Sequence, residues 1–421
     1  MKKQHKLVII IVSIALVLLI ILTAVFIFVQ KSQEETIITS DGTKVIVQKL
    51  IKCPDVGEGG NDFDNTFRSL TVSPTDPDVV YVGNEGNGVF KTVDGGVIWA
   101  WIRTGLKHEG GHYPEVYNMA IDVNDESVIL AATTNGPSPI WSSDYKVSVT
   151  AGVYRSEDGG ELWRQNLEGL PNSAIVSLVQ FPGRKDTFLI GLDGLESSRD
   201  NYSHLETGGG IYISEDGGGS WSALPIPDEG VKNRYAKLYV RGEDKNPVFY
   251  TAGIRWKKEE GSSQSRPDLE GSIGLLRGDD EGQTWTEINP GNAFVLYFDV
   301  SADGNTIFAG DIDNNILHIS DNRGENWRSV FSRGIGAIKI SPNNKDKVLY
   351  ANGNQLVLTE DGFATDVVVL DTEQSINDIE YFKQDNEIIY VSTAGFMVYK
   401  SIDGGRSFEK MVNLRDVIEG S

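Results

Sequence analysis

Two rhythms of apolar and polar residues divide the chain. Leu7–Val29 is a continuous apolar run, LVIIIVSIALVLLIILTAVFIFV, interrupted only by Ser13 and Thr23. As a helix it reaches ~35 Å at ~1.5 Å per residue, enough to cross a hydrocarbon core of ~30 Å. From residue 66 the rhythm shortens. A β-branched or aromatic run, a polar turn with Pro, Asn, Asp or Gly, and a second such run recur seven times. The copies are LTVSPTDPDVVYVG from Leu70, AIDVNDESVILAA from Ala120, LVQFPGRKDTFLIG from Leu178, LYVRGEDKNPVFYTA from Leu238, YFDVSADGNTIFAGD from Tyr297, IKISPNNKDKVLYAN from Ile338 and IEYFKQDNEIIYVST from Ile379. Each reads as a β-hairpin. Beyond the apolar run no 3.6-residue period is sustained, so an all-β fold is expected.

A second motif follows each hairpin. Thr92 to Trp99 reads TVDGGVIW, and its relatives are SEDGGELW at Ser156, SEDGGGSW at Ser214, GDDEGQTW at Gly278, SDNRGENW at Ser320, TEDG at Thr359 and SIDGGRSF at Ser401. The recurring positions are Asp94 and Trp99, Asp158 and Trp163, Asp216 and Trp221, Asp280 and Trp285, Asn322 and Trp327, Asp361, and Asp403 and Phe408. The copy at Thr359 lacks both the later Gly and the aromatic. A period of about 52 residues, with a hairpin, the strand before the Asp and the strand holding the aromatic, gives four strands per unit. Seven such units predict a seven-bladed β-propeller.

The pattern S-x-D-x-G-x-x-W is the Asp-box, or BNR repeat, and residues 66–415 resemble Asp-box propellers. Sialidases, family-74 xyloglucanases, the sortilin lumenal domain and the photosystem II assembly factor share it. The resemblance implies architecture more than activity, because enzymes and binding proteins both carry the box. Its Asp and Ser side chains suit bonds to backbone N–H groups of their own turn, and its glycines suit positive φ. These polar residues are therefore expected to be structural.

Composition narrows the function. Thirty-eight Lys+Arg against 60 Asp+Glu give a formal charge of −22, and every acid lies beyond residue 33. A phosphate-binding surface needs clustered cations, so nucleic acid is excluded as a partner. The single Cys, Cys53, cannot form an internal disulfide. Lys2, Lys3 and Lys6 precede the apolar run, whereas only Lys31 follows closely. That bias keeps the N-terminus cytoplasmic and exports the rest. The run exceeds the ~7–15 residues of a signal peptide and ends without a small-x-small site. The expected order is a cytoplasmic tail over 1–6, an uncleaved single-pass transmembrane helix over 7–29, a stalk or edge hairpin over 30–65, the propeller over 66–415 and a tail over 416–421, with the propeller outside the cell membrane.

Loop length points to one face. Second-to-third-strand loops and blade-to-blade links share the face opposite the boxes. There the long insertions fall at about 135–151, 193–209 and 255–270, together with the link 107–115. They carry Trp141, Tyr145, Tyr202, Arg255 and Trp256, plus His108 and His112. Flat aromatics and guanidinium suit sugar stacking or a protein partner; the alternative is loops that pack on themselves.

Other motifs read as turns. His108-Glu109-Gly110-Gly111-His112 spells H-E-x-x-H, but two glycines and Pro114 preclude the helix a zincin needs. Asp311-Ile312-Asp313 lacks the Gly and Glu of an EF-hand. Phe67-Arg68-Ser69-Leu70 shares one residue with the sialidase Arg-Ile-Pro strand, and no carboxylate pair for glycoside hydrolysis is identifiable. No metal or cofactor is expected. The preferred reading is a membrane-anchored binding or scaffolding propeller for a protein or glycan; the alternative is a sialidase- or xyloglucanase-like glycoside hydrolase.

Overall fold

In the computed structural model the described residues are 34–38, 44–48, 67–84, 86–108, 113–134, 150–171, 174–193, 209–226, 233–242, 247–258, 265–267, 274–332, 336–395 and 397–413. The expected transmembrane helix over 7–29 lies outside them. Among the described residues no helix is long and apolar enough to cross a membrane.

Seven four-stranded antiparallel sheets follow one another in chain order. Their inner strands are Phe67–Val72, Glu115–Asp122, Ile175–Gln180, Asn233–Arg241, Val295–Val300, Ile338–Ser341 and Ile376–Tyr381. Each packs on the inner strands of both neighbouring blades, and the last packs on the first. The result is a closed seven-bladed β-propeller. Blade 7 supplies its own outer strand, Glu409–Asn413, so closure needs no strand from the N-terminus. A separate hairpin, Glu34–Ile38 with Lys44–Gln48, precedes the ring.

The core is divided among the seven blade interfaces, one apolar cluster to each. Trp99 packs with Leu70 and Val82 of its own blade against Tyr390 and Val398 of blade 7. Trp163 lies in the cluster between blades 1 and 2, and Trp221 in that between blades 2 and 3. Trp285, Trp327 and Phe408 pack, partly buried, at the interfaces with blades 3, 4 and 6. The box aromatic therefore joins each blade to the one before it. The Trp163 indole N–H donates to the Ile102 carbonyl of blade 1 at 3.1 Å, and Trp327 does the same to Ile288 of blade 4 at 2.8 Å.

The turn that delivers the aromatic has a fixed construction. In blade 3 the Ser214 hydroxyl donates to Asp216 at 2.7 Å and accepts from the Gly218 N–H at 2.8 Å, while Asp216 accepts from the Ser220 N–H at 2.9 Å. The same bonds recur at Ser156/Asp158, Ser320/Asn322, Thr359/Asp361 and Ser401/Asp403. Two successive residues adopt positive φ, such as Gly217 at 74° and Gly218 at 85°. Glycine does this freely, and other residues do so at a cost.

Blade 6 departs from the motif instructively. Its motif has Asp366 in place of the aromatic, yet Phe363 occupies the second left-handed position with φ 75°. Its ring lies 5.5 Å from Phe308 of blade 5 and 5.8 Å from Tyr350. It thus fills the interface that a Trp fills elsewhere. Blade 4 departs differently: Gly278 replaces the hydroxyl residue, and Asp280–Gly282 forms a 3₁₀ turn with Glu281 at φ 55°.

Inner strands expose an unpaired edge toward the ring axis, and side chains of the preceding blade bond to it. The Ser177 hydroxyl donates to the Tyr235 carbonyl at 2.8 Å, Tyr239 to Phe298 at 3.2 Å, and Arg241 Nε to Val300 at 2.8 Å. The Ile340 N–H donates to Asp299 at 2.7 Å, and the Leu70 N–H donates to Asp378 at 3.2 Å across the closure. Several of these side chains stand just after a β-bulge, as Ser177 and Asp378 do; a bulge re-aims the residue beside it.

Trp163 and Trp221 are only 1% and 4% exposed. Replacing either with Ala is expected to cost ~3–5 kcal/mol through the cavity left behind. Denaturant unfolding measures this, and variants that unfold with the wild type contradict the packing role.

Candidate functional site

The sequence-predicted site residues separate into three groups. Trp141, Tyr145, Tyr202 and His112 lie outside the described residues. Arg255 and Trp256 are not on a free loop. They continue the second strand of blade 4, Val248–Lys258, beyond the blade, where Trp256 pairs with Pro267 and Lys257 with Arg266 of a short fifth strand, Ser265–Pro267. A basic hairpin therefore extends from the loop face of blade 4. His108 is exposed on the link between blades 1 and 2, its ring 5.2 Å from Tyr113.

Around His108 the link builds a stack that sequence reasoning left aside. Trp101 stacks on Phe90 at 5.5 Å, and the Arg103 guanidinium lies 3.3 Å over the Trp101 ring and 4.5 Å from that of Tyr113. The Trp101 indole N–H donates to the Asn87 carbonyl and the Tyr113 N–H to Gly86 at 3.1 Å. Both acceptors belong to the second-to-third-strand turn of blade 1, which fixes the stack at the loop face. Gly105, at φ 88°, is needed there because a Cβ would meet the Trp163 carbonyl at 2.1 Å.

A second cluster lies on the inner strands of blades 4 to 7. Arg241 approaches Asp299 at 3.5 Å, and Lys339 pairs with Glu380 at 2.6 Å. Lys237, Asp378 and Lys383 complete it. Burial lowers the Lys339 ammonium, but Glu380, Asp299 and Asp378 outweigh that and raise it overall. Lys383, whose side chain is exposed, adds a positive charge near Lys339 and Arg241 at the margin of the cluster. Asp378 is pushed up to about 6, first by burial, against the pull of Lys237 and Lys339 and with Glu380 reinforcing the rise. A raised carboxylate beside other acids is the mark of a general acid. Its oxygens are committed, however. Asp378 accepts from the Leu70 and Ile379 N–H groups, and Asp299 from Ile340 and Val300. The cluster is wired into the ring, with Lys339–Glu380 its closest ion pair. Asp299 in the largely apolar strand VLYFDV was the available signal for it, whereas Asp378 stands in INDIEY beside Asn377 and Glu380 and is less distinctive.

The box carboxylates are shifted the opposite way. At Asp403 burial raises the carboxyl, but the Ser407, Ser401 and Arg406 donors outweigh it and hold it down to about 2. Asp158, Asp216 and Asp361 are also lowered. Each stays ionised as a turn acceptor.

In blade 5 the Ser329 hydroxyl lies 3.2 Å from His318 Nδ1, and His318 Nε2 lies 3.9 Å from Asp311. These are the residue types of a nucleophile, base and orienter. Yet 3.9 Å is not a hydrogen bond, and Asp311 instead closes its own turn by accepting from Asn314. His318, lowered by burial despite Asp311, is a neutral partner in a cross-strand pair with Ser329. Asp311-Ile312-Asp313 is likewise a turn. Among the described residues no group of three or more His, Cys, Asp or Glu could hold a metal ion.

No family model matches the chain. Curated relatives are xyloglucanases. One from Paenibacillus sp is 25% identical over 233 residues, covering 47% of this chain and 21% of its own length. One from Hypocrea jecorina (strain QM6a) is 22% identical over 298 residues, covering 68% of this chain and 33% of its own. The chain spans about a third or less of the curated relatives it matches. Among solved structures, YCF48 bound to D1 peptide aligns at TM-score 0.50 and 14% identity, covering 80% of this chain and 94% of that one. An ancestral GH74 enzyme aligns at 0.50 and 15%, covering 84% and 49%. Saccharomyces cerevisiae Sqt1 aligns at 0.51 and 14%, covering 83% and 87%. These likenesses show the propeller fold.

Asp378 gives a signed pH prediction. Its folded pKa, about 6, lies above the ordinary aspartate value of 3.8. Its favourable contribution is therefore complete below about pH 4 and lost as pH rises through about 6. Asp378→Asn keeps an acceptor for the Leu70 N–H but cannot ionise. Its melting temperature minus that of the wild type should become more positive between pH 4 and pH 7. A constant difference would show that Asp378 does not titrate in this window.

Proposed function

We propose that the chain is a membrane-tethered, extracytoplasmic Asp-box propeller that binds a protein or glycan ligand through its loop face. The observation that carries this reading is the Phe90–Trp101–Arg103–Tyr113 stack, pinned to the loop face and ending at exposed His108. Phe90 and Tyr113 are buried and form its base, while half-buried Trp101 and Arg103 and exposed His108 form its outer side, an aromatic edge and a guanidinium of the kind that suits a sugar ring or a peptide anchor. The basic hairpin of blade 4, with Arg255, Trp256, Lys257 and Lys258, extends from that face and contrasts with a chain of charge −22. A protein ligand is supported by the likeness to YCF48 bound to D1 peptide, and a glycan by the likeness to xyloglucanases. The apolar run Leu7–Val29 and its flanking lysines support the tether and its orientation.

A glycoside hydrolase is the second reading, supported by the xyloglucanase relatives and by the elevated Asp378. The commitment of Asp378 and Asp299 to backbone N–H groups weighs against it.

Binding of the detergent-solubilised full chain to a glycan array that includes xyloglucan oligosaccharides, and to a peptide array, separates the readings. Arg103→Ala, Trp141→Ala and Trp256→Ala should each weaken binding at least tenfold, while Asp403→Asn on the opposite face leaves it unchanged. Full binding in all three loop-face variants overturns the assignment of the face. Release of reducing sugar that Asp378→Asn abolishes would favour the hydrolase.

A further inference from the structure

The outer strand of every blade is a sheet edge, and an edge with unpaired N–H and C=O groups is a template for another strand. Six of the seven are blunted. Those of blades 1 and 3, Ala100–Trp101 and Ser222–Ala223, are two residues long, and that of blade 2, Arg164–Asn166, is three polar residues. Blade 4 has Thr284–Glu287, blade 5 starts its edge with Arg328, and blade 7 with Glu409 and Lys410. Blade 6 differs. Its edge, Val367–Asp371, reads VVVLD, with Val367 60% and Val368 48% exposed. A bulge at Val369 bends its inner ladder but leaves Val367 and Val368 paired with Leu358 and Val357. Asp366 and Asp371 bracket the four apolar residues. Asp366 accepts from the Tyr350 hydroxyl, and Asp371 from Asn354 and Gln355; a carboxylate has lone pairs for further donors.

Among the described strands, the hairpin Glu34–Ile38/Lys44–Gln48 forms the one sheet outside the ring, and its ladder joins it to no blade. A two-stranded hairpin alone is marginal in water. Its second strand reads KVIVQ and is followed in sequence by Lys49, so Lys44 and Lys49 bracket four residues just as Asp366 and Asp371 do. Antiparallel pairing sets Lys44 opposite Asp371, Lys49 opposite Asp366 and Val47 opposite Val368. Two copies of the blade 6 edge paired antiparallel would instead set carboxylate against carboxylate, which is unfavourable. The 18 residues between Gln48 and Phe67 reach up to ~60 Å when extended, ample for passage from blade 1 to blade 6, two places round the ring.

We propose that the N-terminal hairpin of the same chain adds to the blade 6 sheet, with Lys44–Gln48 running antiparallel to Val367–Leu370. The addition covers the one apolar edge of the ring and leaves the loop face free.

Disulfide trapping in the full chain tests this. In a Cys53→Ser background, Val47→Cys is combined with Val367→Cys or Val368→Cys, and with Ile402→Cys as a control, 75% exposed in the turn of blade 7. Mild oxidation should link at least one blade 6 pair within a single chain, at tenfold or more the control yield. Lys44→Glu with Lys49→Glu should reduce that yield. Equal yields at blades 6 and 7 overturn the docking. A link between two chains overturns the choice of occupant, and coincident melting curves of the reduced variants exclude misfolding as the cause of a missing link.

Discussion

The ring depends on an aromatic side chain held between each blade and its predecessor. A four-stranded sheet has two faces to cover, and in a closed ring each face is covered by a neighbour that has the same need. The box turn solves the problem in full in blades 1, 2, 3, 5 and 7, whereas blade 4 lacks the hydroxyl and blade 6 brings in Phe363 from the turn itself. Its hydroxyl and its Asp or Asn side chain satisfy backbone N–H groups, its paired left-handed residues reverse the chain tightly, and the strand that leaves carries a ring into the interface. The carboxylates depressed in these turns, Asp403 down to about 2, result from that construction. They are poor proton donors and strong turn acceptors, so the most repeated polar residue in the chain belongs to the scaffold.

Sheet edges are the second constraint. Toward the axis, the preceding blade bonds to the free edge through Ser177, Tyr239, Arg241, Asp299 and Asp378. Blades 4, 5 and 7 use charged groups for this, whereas blades 1 and 3 use Ser and Thr, as Thr71 does toward Met119 at 3.3 Å. Edge satisfaction therefore explains Arg241, Asp299 and Asp378, while Lys339 pairs with Glu380 across blades 6 and 7. Toward solvent, short or charged strands blunt the edges, and blade 6 is the exception.

Blade number and strand count were legible because the box and hairpin recur at even spacing, and the box aromatics announced the interfaces. Phe363 was not legible as an interface residue, because position 363 is a glycine position in the motif and only the folded φ shows a phenylalanine there. The inner charged cluster was missed because Asp299, Lys339 and Asp378 are distant in sequence and meet only when blades 5, 6 and 7 pack side by side. Arg103 and Trp101 were missed because stacking across a link leaves no periodic trace. Arg255 and Trp256 were assigned to a loop because Gly261 and the polar residues around it read as irregular, while the strands extend past the blade to either side of them.

Blade 6 offers the most direct test of the aromatic's role, because there the ring reaches the interface from a different sequence position. Phe363→Gly relieves a positive-φ phenylalanine and so should stabilise if the ring is idle. If the ring carries the interface, the variant should lose about 2–3 kcal/mol in denaturant unfolding. Adding Asp366→Trp, which restores the motif's own aromatic position, should recover most of that loss. A Phe363→Gly protein as stable as the wild type, or a double variant no better than the single one, would contradict the account.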